Sequence, residues 1–122
     1  MREMVNDNKV LSRTAGEYAQ PEELYRYVVC STAHLTEQDA ELCHRLGHQW
    51  CEWGDSEWIH LTGTGYLVRL SAFSFPLLVL KRRGFSKNAR RLIYVLMRRL
   101  NISLIHFDCC GEVLSGFAVH DW

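Results

Sequence analysis

The stretch SKNARRLIYVLMRRLNISLIHFD, residues 86–108, holds a helix and a strand back to back. Ser86 stands where a hydroxyl can accept from a free first-turn amide, the usual role of an N-cap. Behind it Ala89, Leu92, Ile93, Leu96 and Leu100 recur at helical spacing. That pattern predicts a helix over Lys87–Leu100 with these five residues on its core side. Ile102–Phe107 then reads as a strand, because its apolar residues suit a pleated, half-buried surface.

The same reasoning extends toward the N-terminus. Ser74 and Pro76 suit the start of a short helix, and Gly84 suits its end. Trp58–Leu61 and Tyr66–Leu70 read as two strands joined through Thr62-Gly63-Thr64-Gly65. Thr36 is placed as an N-cap, with Glu37 and Asp39 in the first turn, where acids complement the helix dipole. The helix that follows is expected to run to about Trp53, with Leu42, Leu46, Trp50 and Trp53 on one face. Tyr25 and Tyr27–Cys30 predict a first strand. Beyond a turn at Gly111, Phe117–Trp122 predicts an edge strand. The order β-α-β-β-α-α-β-β implies an α+β fold, a small mixed or antiparallel sheet of four to five strands with about three helices on one face. A chain of 122 residues fits one domain. Residues 24–122 are read as that domain, and residues 1–23, polar and without period, as a flexible N-terminal arm.

Four Trp, five Tyr and five Phe supply ample apolar surface for a core without staples. Five cysteines, an odd number with Cys109 and Cys110 adjacent, argue for a reduced, cytoplasmic protein. The longest apolar run, Phe73–Leu80, is broken by Ser74 and Pro76 and falls far short of the ~20 residues of a membrane span, so no membrane is expected.

Net charge is zero, yet the charges are segregated. Lys81–Arg99 carries eight of the fourteen basic residues and no acid, whereas residues 1–57 carry eleven acids against five bases. On the second helix of this segment Lys87, Arg91, Tyr94 and Arg98 form one stripe opposite the apolar face, flanked by Arg90 and Arg99. Lys81, Arg82 and Arg83 end the preceding helix, just before the free amides of the next, where an anion would be well received. A solvated face ordinarily mixes signs. This one does not, which favours an anionic partner. Helix-Gly84-helix also suggests a helix-turn-helix, but the second helix offers base edges almost only Arg and Tyr, and Arg90 sits where an apolar contact is normal.

Three smaller signals compete. His44, His48 and Cys51 share one helix face at a spacing that can supply three zinc ligands, completed by His34 or Glu41. The bland alternative is a polar surface. Gly47 costs that helix about 1 kcal/mol relative to Ala, which suggests close approach of another element. His106, Asp108, His120 and Asp121 would form an acid/base cluster if the last two strands paired, but no motif places a nucleophile beside them. Thr62-Gly63-Thr64-Gly65 lacks the Lys-Ser/Thr of a phosphate loop and leads into a strand. No catalytic residue is expected.

From about Val28 onward the chain resembles a family of small uncharacterised proteins of bacterial plasmids, prophages and genomic islands, found near toxin–antitoxin and anti-restriction genes. The segments that carry the resemblance are CSTAHLTE at 30–37, LTGTGYLVR at 61–69, and Leu104–Asp108 through Gly116-Phe117 to Asp121-Trp122. The resemblance implies action inside a bacterial host cell and carries over no functional residue.

Together these readings lead to a non-enzymatic, mobile-element-encoded binding protein, an anti-defence inhibitor of the anti-CRISPR or anti-restriction type. It would dock Lys81, Arg82, Arg83, Lys87, Arg90, Arg91, Tyr94, Arg98 and Arg99 on a host defence or nucleic-acid-handling protein complex. Alternatively the acids Glu37, Asp39, Glu41, Glu52, Asp55 and Glu57 would mimic phosphates. The competing expectations are a nucleic-acid-binding regulator or toxin–antitoxin accessory protein that uses the same basic helix, and a zinc-binding enzyme. A homodimer is compatible with each.

Overall fold

In the computed structural model, residue 19 and residues 21–48 and 58–122 are described. Four short segments with alternating apolar side chains build one sheet. They are β1 (Tyr27–Ser31), β2 (Ile59–Thr62), β3 (Gly65–Arg69) and β4 (Leu104–Asp108), in the order β1-β4-β3-β2. β4 pairs parallel with β1 and antiparallel with β3, and β2 closes a tight hairpin with β3. The register aligns Val28, Ile105, Val68 and Ile59 in one row across the sheet, and Cys30, Phe107, Tyr66 and Leu61 in the next. Because side chains alternate along a strand, both rows point to the same face. That face holds the core: Cys30, Ile59, Val68, Ile105 and Phe107 are all buried.

Three helices supply much of the rest of the core, with Leu35, Trp58, Leu70, Phe85 and Ile102 added from the connections. Helix α1 is Glu37–His48, α2 is Pro76–Arg83 and α3 is Lys87–Leu100. Leu42, Cys43 and Leu46 of α1, Leu80 of α2, and Ala89, Leu92, Ile93 and Leu96 of α3 are buried together. The expected punctuation is present. Thr36 and Asp39 cap α1 reciprocally, the Asp39 amide donating to Thr36 Oγ1 at 3.0 Å and the Thr36 amide to Asp39 Oδ2 at 3.1 Å. Pro76 occupies the first turn of α2, and Gly84 ends it with φ 101°, a left-handed conformation that favours glycine. Ser86 Oγ accepts from the Ala89 amide at 3.2 Å. At Gly47 an added Cβ would lie 2.8 Å from Leu61 Cδ2, so α1 and the β2–β3 hairpin meet closely there, as its glycine suggests.

The fold class and element order are those expected, with two local differences. Leu100, expected in the core, is 42% exposed at the last residue of α3. The edge strand expected over Phe117–Trp122 does not form. Gly116 turns the chain with φ 91°, and the tail then bonds to a 3-10 turn and a histidine instead of a ladder. His34, 1% exposed at the end of that turn, donates from Nδ1 to the Ala118 carbonyl at 2.9 Å and accepts at Nε2 from the Leu114 amide at 2.8 Å. The His120 amide reaches the Ala33 carbonyl at 2.8 Å, and the Trp122 indole N–H reaches the Leu35 carbonyl at 3.0 Å. Trp58 is buried and meets Phe73 edge-on at 5.3 Å. Residues 1–18, 20 and 49–57 lie outside the described set. Most of the expected arm and the end of the first helix, with Trp50 and Trp53, fall there.

Candidate interaction surface

The acid-free segment forms α2, Gly84 and α3. Lys81, Arg82 and Arg83 are exposed in the last turn of α2, where cations offset the free carbonyls. Lys87, Arg91, Tyr94, Arg98 and Arg99 are exposed on α3, and Arg90 is half-buried. Among the described residues no carboxylate forms an ion pair with any of these cations.

Three of the arginines nevertheless have work inside the fold. Arg90 Nε donates to the Phe85 carbonyl at 3.2 Å, closing the α2–α3 corner. Arg91 donates from Nη1 to the Gly116 carbonyl at 3.3 Å, and its guanidinium lies 5.1 Å from the centre of the Phe117 ring. It clamps the C-terminal tail. Arg98 stands 5.9 Å from the centre of the Tyr94 ring, which holds its planar head over an exposed aromatic face. Lys81, Arg82, Arg83, Lys87 and Arg99 have no polar or ring partner among the described residues.

The anion expected at the α2–α3 junction turns out to belong to the chain. Asp39 sits beside the N-terminus of α3, where its Oδ1 accepts from the Ser86 amide at 2.8 Å and its Oδ2 from the Ser86 hydroxyl at 2.6 Å. It is 1% exposed, so it cannot act as a phosphate mimic. Glu37 and Glu41 are exposed, while Glu52, Asp55 and Glu57 lie outside the described residues.

An apolar feature lies within this basic surface. Phe75, Leu78 and Met97, with Ser74, Pro76 and Leu77, line an open hollow of about 260 Å³. Phe75 is 72% exposed and Leu78 45%. Leu78 shares a face of α2 with Arg82 one turn on, while Arg98 follows Met97 in α3 and points to a different side of that helix. The charge run masked this feature in the sequence. Its only trace there was Phe75 standing ahead of a short helix with apolar residues on more than one side.

The remaining candidates separate as follows. His44 and His48 are both exposed on α1, their ring centres 4.4 Å apart, so the expected two-histidine face exists, while Cys51 lies outside the described residues. His34 cannot complete a zinc site, because both ring nitrogens already serve the tail. His106 Nε2 meets Thr62 Oγ1 at 3.2 Å, and Asp108 Oδ1 accepts from the Cys110 amide at 2.9 Å. His106 thus reaches from β4 to the end of β2, Asp108 serves its own turn, and the His120 backbone serves Ala33. Burial pushes the thiols of Cys30 and Cys43 up to about 12, with the charge of Asp39 adding to the shift at Cys43. They stay protonated and inert at neutral pH. Sequence reasoning also missed the grouping of Asp108 with Cys109 and Cys110, whose ligand atoms all lie within 4.8 Å of one another.

Residues 27–122 match the family of unknown function DUF5983, C-terminal domain. The chain belongs to that family. The DUF5983 match begins at the first residue of β1 and runs to Trp122, so it contains the sheet and the three helices of the described residues and every residue of the basic surface. No curated protein and no solved structure matches the chain. Among the described residues no helix is long and apolar enough to cross a membrane.

Proposed function

We propose that this DUF5983 domain is a non-enzymatic binding module whose α2–α3 surface docks on an acidic face of another protein. The observation that carries the reading is the apolar hollow of Phe75, Leu78 and Met97 on the same two helices as cations that have no carboxylate partner among the described residues. Protein-binding sites characteristically join a desolvated apolar anchor to a charged rim, and aromatic and Arg side chains dominate their energetics. A phosphate backbone asks for positive charge alone and gains nothing from an apolar hollow. In the setting implied by the resemblance to proteins of mobile elements, the natural partner is a host defence or nucleic-acid-handling complex. The module would then be an anti-defence inhibitor of the anti-CRISPR or anti-restriction type.

The test pairs Arg82→Glu with Arg98→Glu, and separately changes Phe75→Ser. Expected is stable co-purification of the unmodified chain with a nucleic-acid-handling complex of its bacterial host, lost in both variants, with no measurable affinity for free DNA or RNA. Undiminished capture by the charge-reversed variant removes the surface from the proposal. Affinity for generic duplex that falls steeply with salt transfers the surface to a nucleic-acid-binding regulator instead.

A further inference from the structure

A second site stands apart from the basic surface and does not depend on the docking reading. β1 and β4 run parallel, and at the C-terminal end of β4 the chain turns through Asp108, Cys109, Cys110 and Gly111. This turn is held on every side. The Cys109 amide donates to the Thr64 carbonyl at 2.9 Å, the Gly111 amide to the Asp108 carbonyl at 2.8 Å, and the Ser31 amide to the Glu112 carbonyl at 2.9 Å. Two glycines make the packing possible. A Cβ on Gly65 would collide with the Phe107 carbonyl, and one on Gly111 would stand 2.5 Å from the backbone of Cys30. The turn is rigid, and both thiols are exposed on it.

The donor geometry is specific. Cys109 Sγ and Cys110 Sγ are 3.9 Å apart. Two sulfurs bound to one tetrahedral zinc, each at about 2.3 Å, stand about 3.8 Å from one another, so the thiols already span one edge of such a tetrahedron. A disulfide would require about 2.05 Å. Asp108 adds a carboxylate whose Oδ1 is fixed by the Cys110 amide at 2.9 Å, the kind of outer contact that orients a ligating group. Cys109 also faces a cavity of about 320 Å³ that it shares with His44, Thr62, Thr64 and Tyr66. That space leaves room for a fourth ligand.

We infer that Asp108, Cys109 and Cys110 form a chelating site for a thiophilic divalent cation of the zinc class, with three protein ligands and one position open to the cavity. On binding, the two S–H bonds give way to two metal–sulfur bonds and both protons pass to solvent. The site differs from the histidine face of α1 in every ligand. Among the described residues of that face, His44 lines the cavity that Cys109 faces.

The test uses the full chain, purified in a phosphine reductant, with zinc as the probe. Affinity is measured by competition against a chromophoric chelator, and cobalt substitution is read by sulfur-to-metal charge-transfer absorption. Expected is stoichiometric zinc binding, and a charge-transfer band that disappears in the double variant Cys109→Ser with Cys110→Ser. Each single serine variant should weaken zinc by more than about 100-fold, beyond the usual cost of losing an outer contact. Asp108→Asn, which keeps an acceptor for the Cys110 amide but gives up the charge of a ligand, should weaken it by more than about tenfold. Both cysteines are exposed, so the serine variants should keep the circular dichroism of the parent chain. Zinc binding that survives the double variant, or is lost instead on changing His44 and His48 to Ala, overturns the inference. So does the absence of a charge-transfer band in the parent.

Discussion

Asp39, in the first turn of α1, grips Ser86, the N-cap of α3, through two hydrogen bonds of 2.8 and 2.6 Å. One buried carboxylate thereby serves the N-cap amides of two helices, since its Oδ2 also accepts from the Thr36 amide at 3.1 Å. The contact sets where α3 begins and therefore how the basic stripe is aimed. Asp39→Ala strands the Ser86 and Thr36 amides and should cost about 3–5 kcal/mol, because hydrogen bonds to a charged acceptor are worth more than neutral ones. Ser86→Ala should cost about 1–2 kcal/mol. Urea denaturation of both single variants and the double variant checks this. The double variant should fall short of the sum, because the two share one interaction.

Arg91 and Arg98 should behave differently despite their common stripe. Arg91→Ala removes the hydrogen bond to Gly116 and the contact over Phe117, worth about 1 kcal/mol together. Hydrogen exchange of the tail amides should quicken in this variant. Arg98→Ala removes the contact with Tyr94, its one ring or polar partner among the described residues, and should leave tail exchange unchanged.

His34 should matter more than either arginine for the tail. With both ring nitrogens bonded and the ring meeting Phe117 edge-on at 6.2 Å, His34→Ala removes two hydrogen bonds and opens a cavity. About 3 kcal/mol of stability should be lost. The Leu114 amide, which donates to His34, should lose its exchange protection first.

Alanine substitutions should rank the glycines of the β2–β3 hairpin sharply. Gly65→Ala drives a methyl into the Phe107 carbonyl and should cost more than about 3 kcal/mol, the range of overpacking that the backbone must absorb. Gly63, with nothing within 4 Å of an added Cβ, should accept Ala within about 0.5 kcal/mol. Thermal melts of the two variants suffice.

Alkaline pH should weaken the fold through its buried thiols. In the unfolded chain a cysteine releases its proton near pH 8.5, but Cys30 and Cys43 hold theirs to about 12 in the folded state. The unfolded state therefore binds fewer protons between these limits, and stability falls as pH rises. The slope is about 1.4 kcal/mol per pH unit for each thiol. The stabilisation is complete below the unfolded value and lost on passing the folded one. Cys43→Ala should flatten the dependence measured in reductant.

The elements were legible because each carried its own punctuation: Thr36, Pro76, Gly84 and Ser86 mark helix ends through local hydrogen bonds or fixed dihedrals. The tail was not, because Phe117–Trp122 has strand-like composition while its partners, His34 and Arg91, are distant in sequence. The basic residues of the candidate surface could be read from charge alone. The division of labour among them could not, since which arginine meets a carbonyl depends on where the tail lies. Asp39 illustrates the same limit, as an apparent surface acid in the first turn of a helix that is claimed by a serine of another helix. The zinc expectation rested on helical spacing, whereas the grouping of Asp108, Cys109 and Cys110 follows from a turn shaped by backbone contacts of Gly65 and Gly111.

The parallel pairing of β1 with β4 has a consequence for biosynthesis. Tyr27 lies opposite Leu104, so the opening strand has no sheet neighbour until nearly the entire domain has left the ribosome. Until then its ladder groups and the apolar side of the hairpin stay unsatisfied, a state prone to association with other nascent chains. Shortening the gene before β4 would thus remove one of the two inner strands, the one that joins β1 to the hairpin, and leave no smaller folded product.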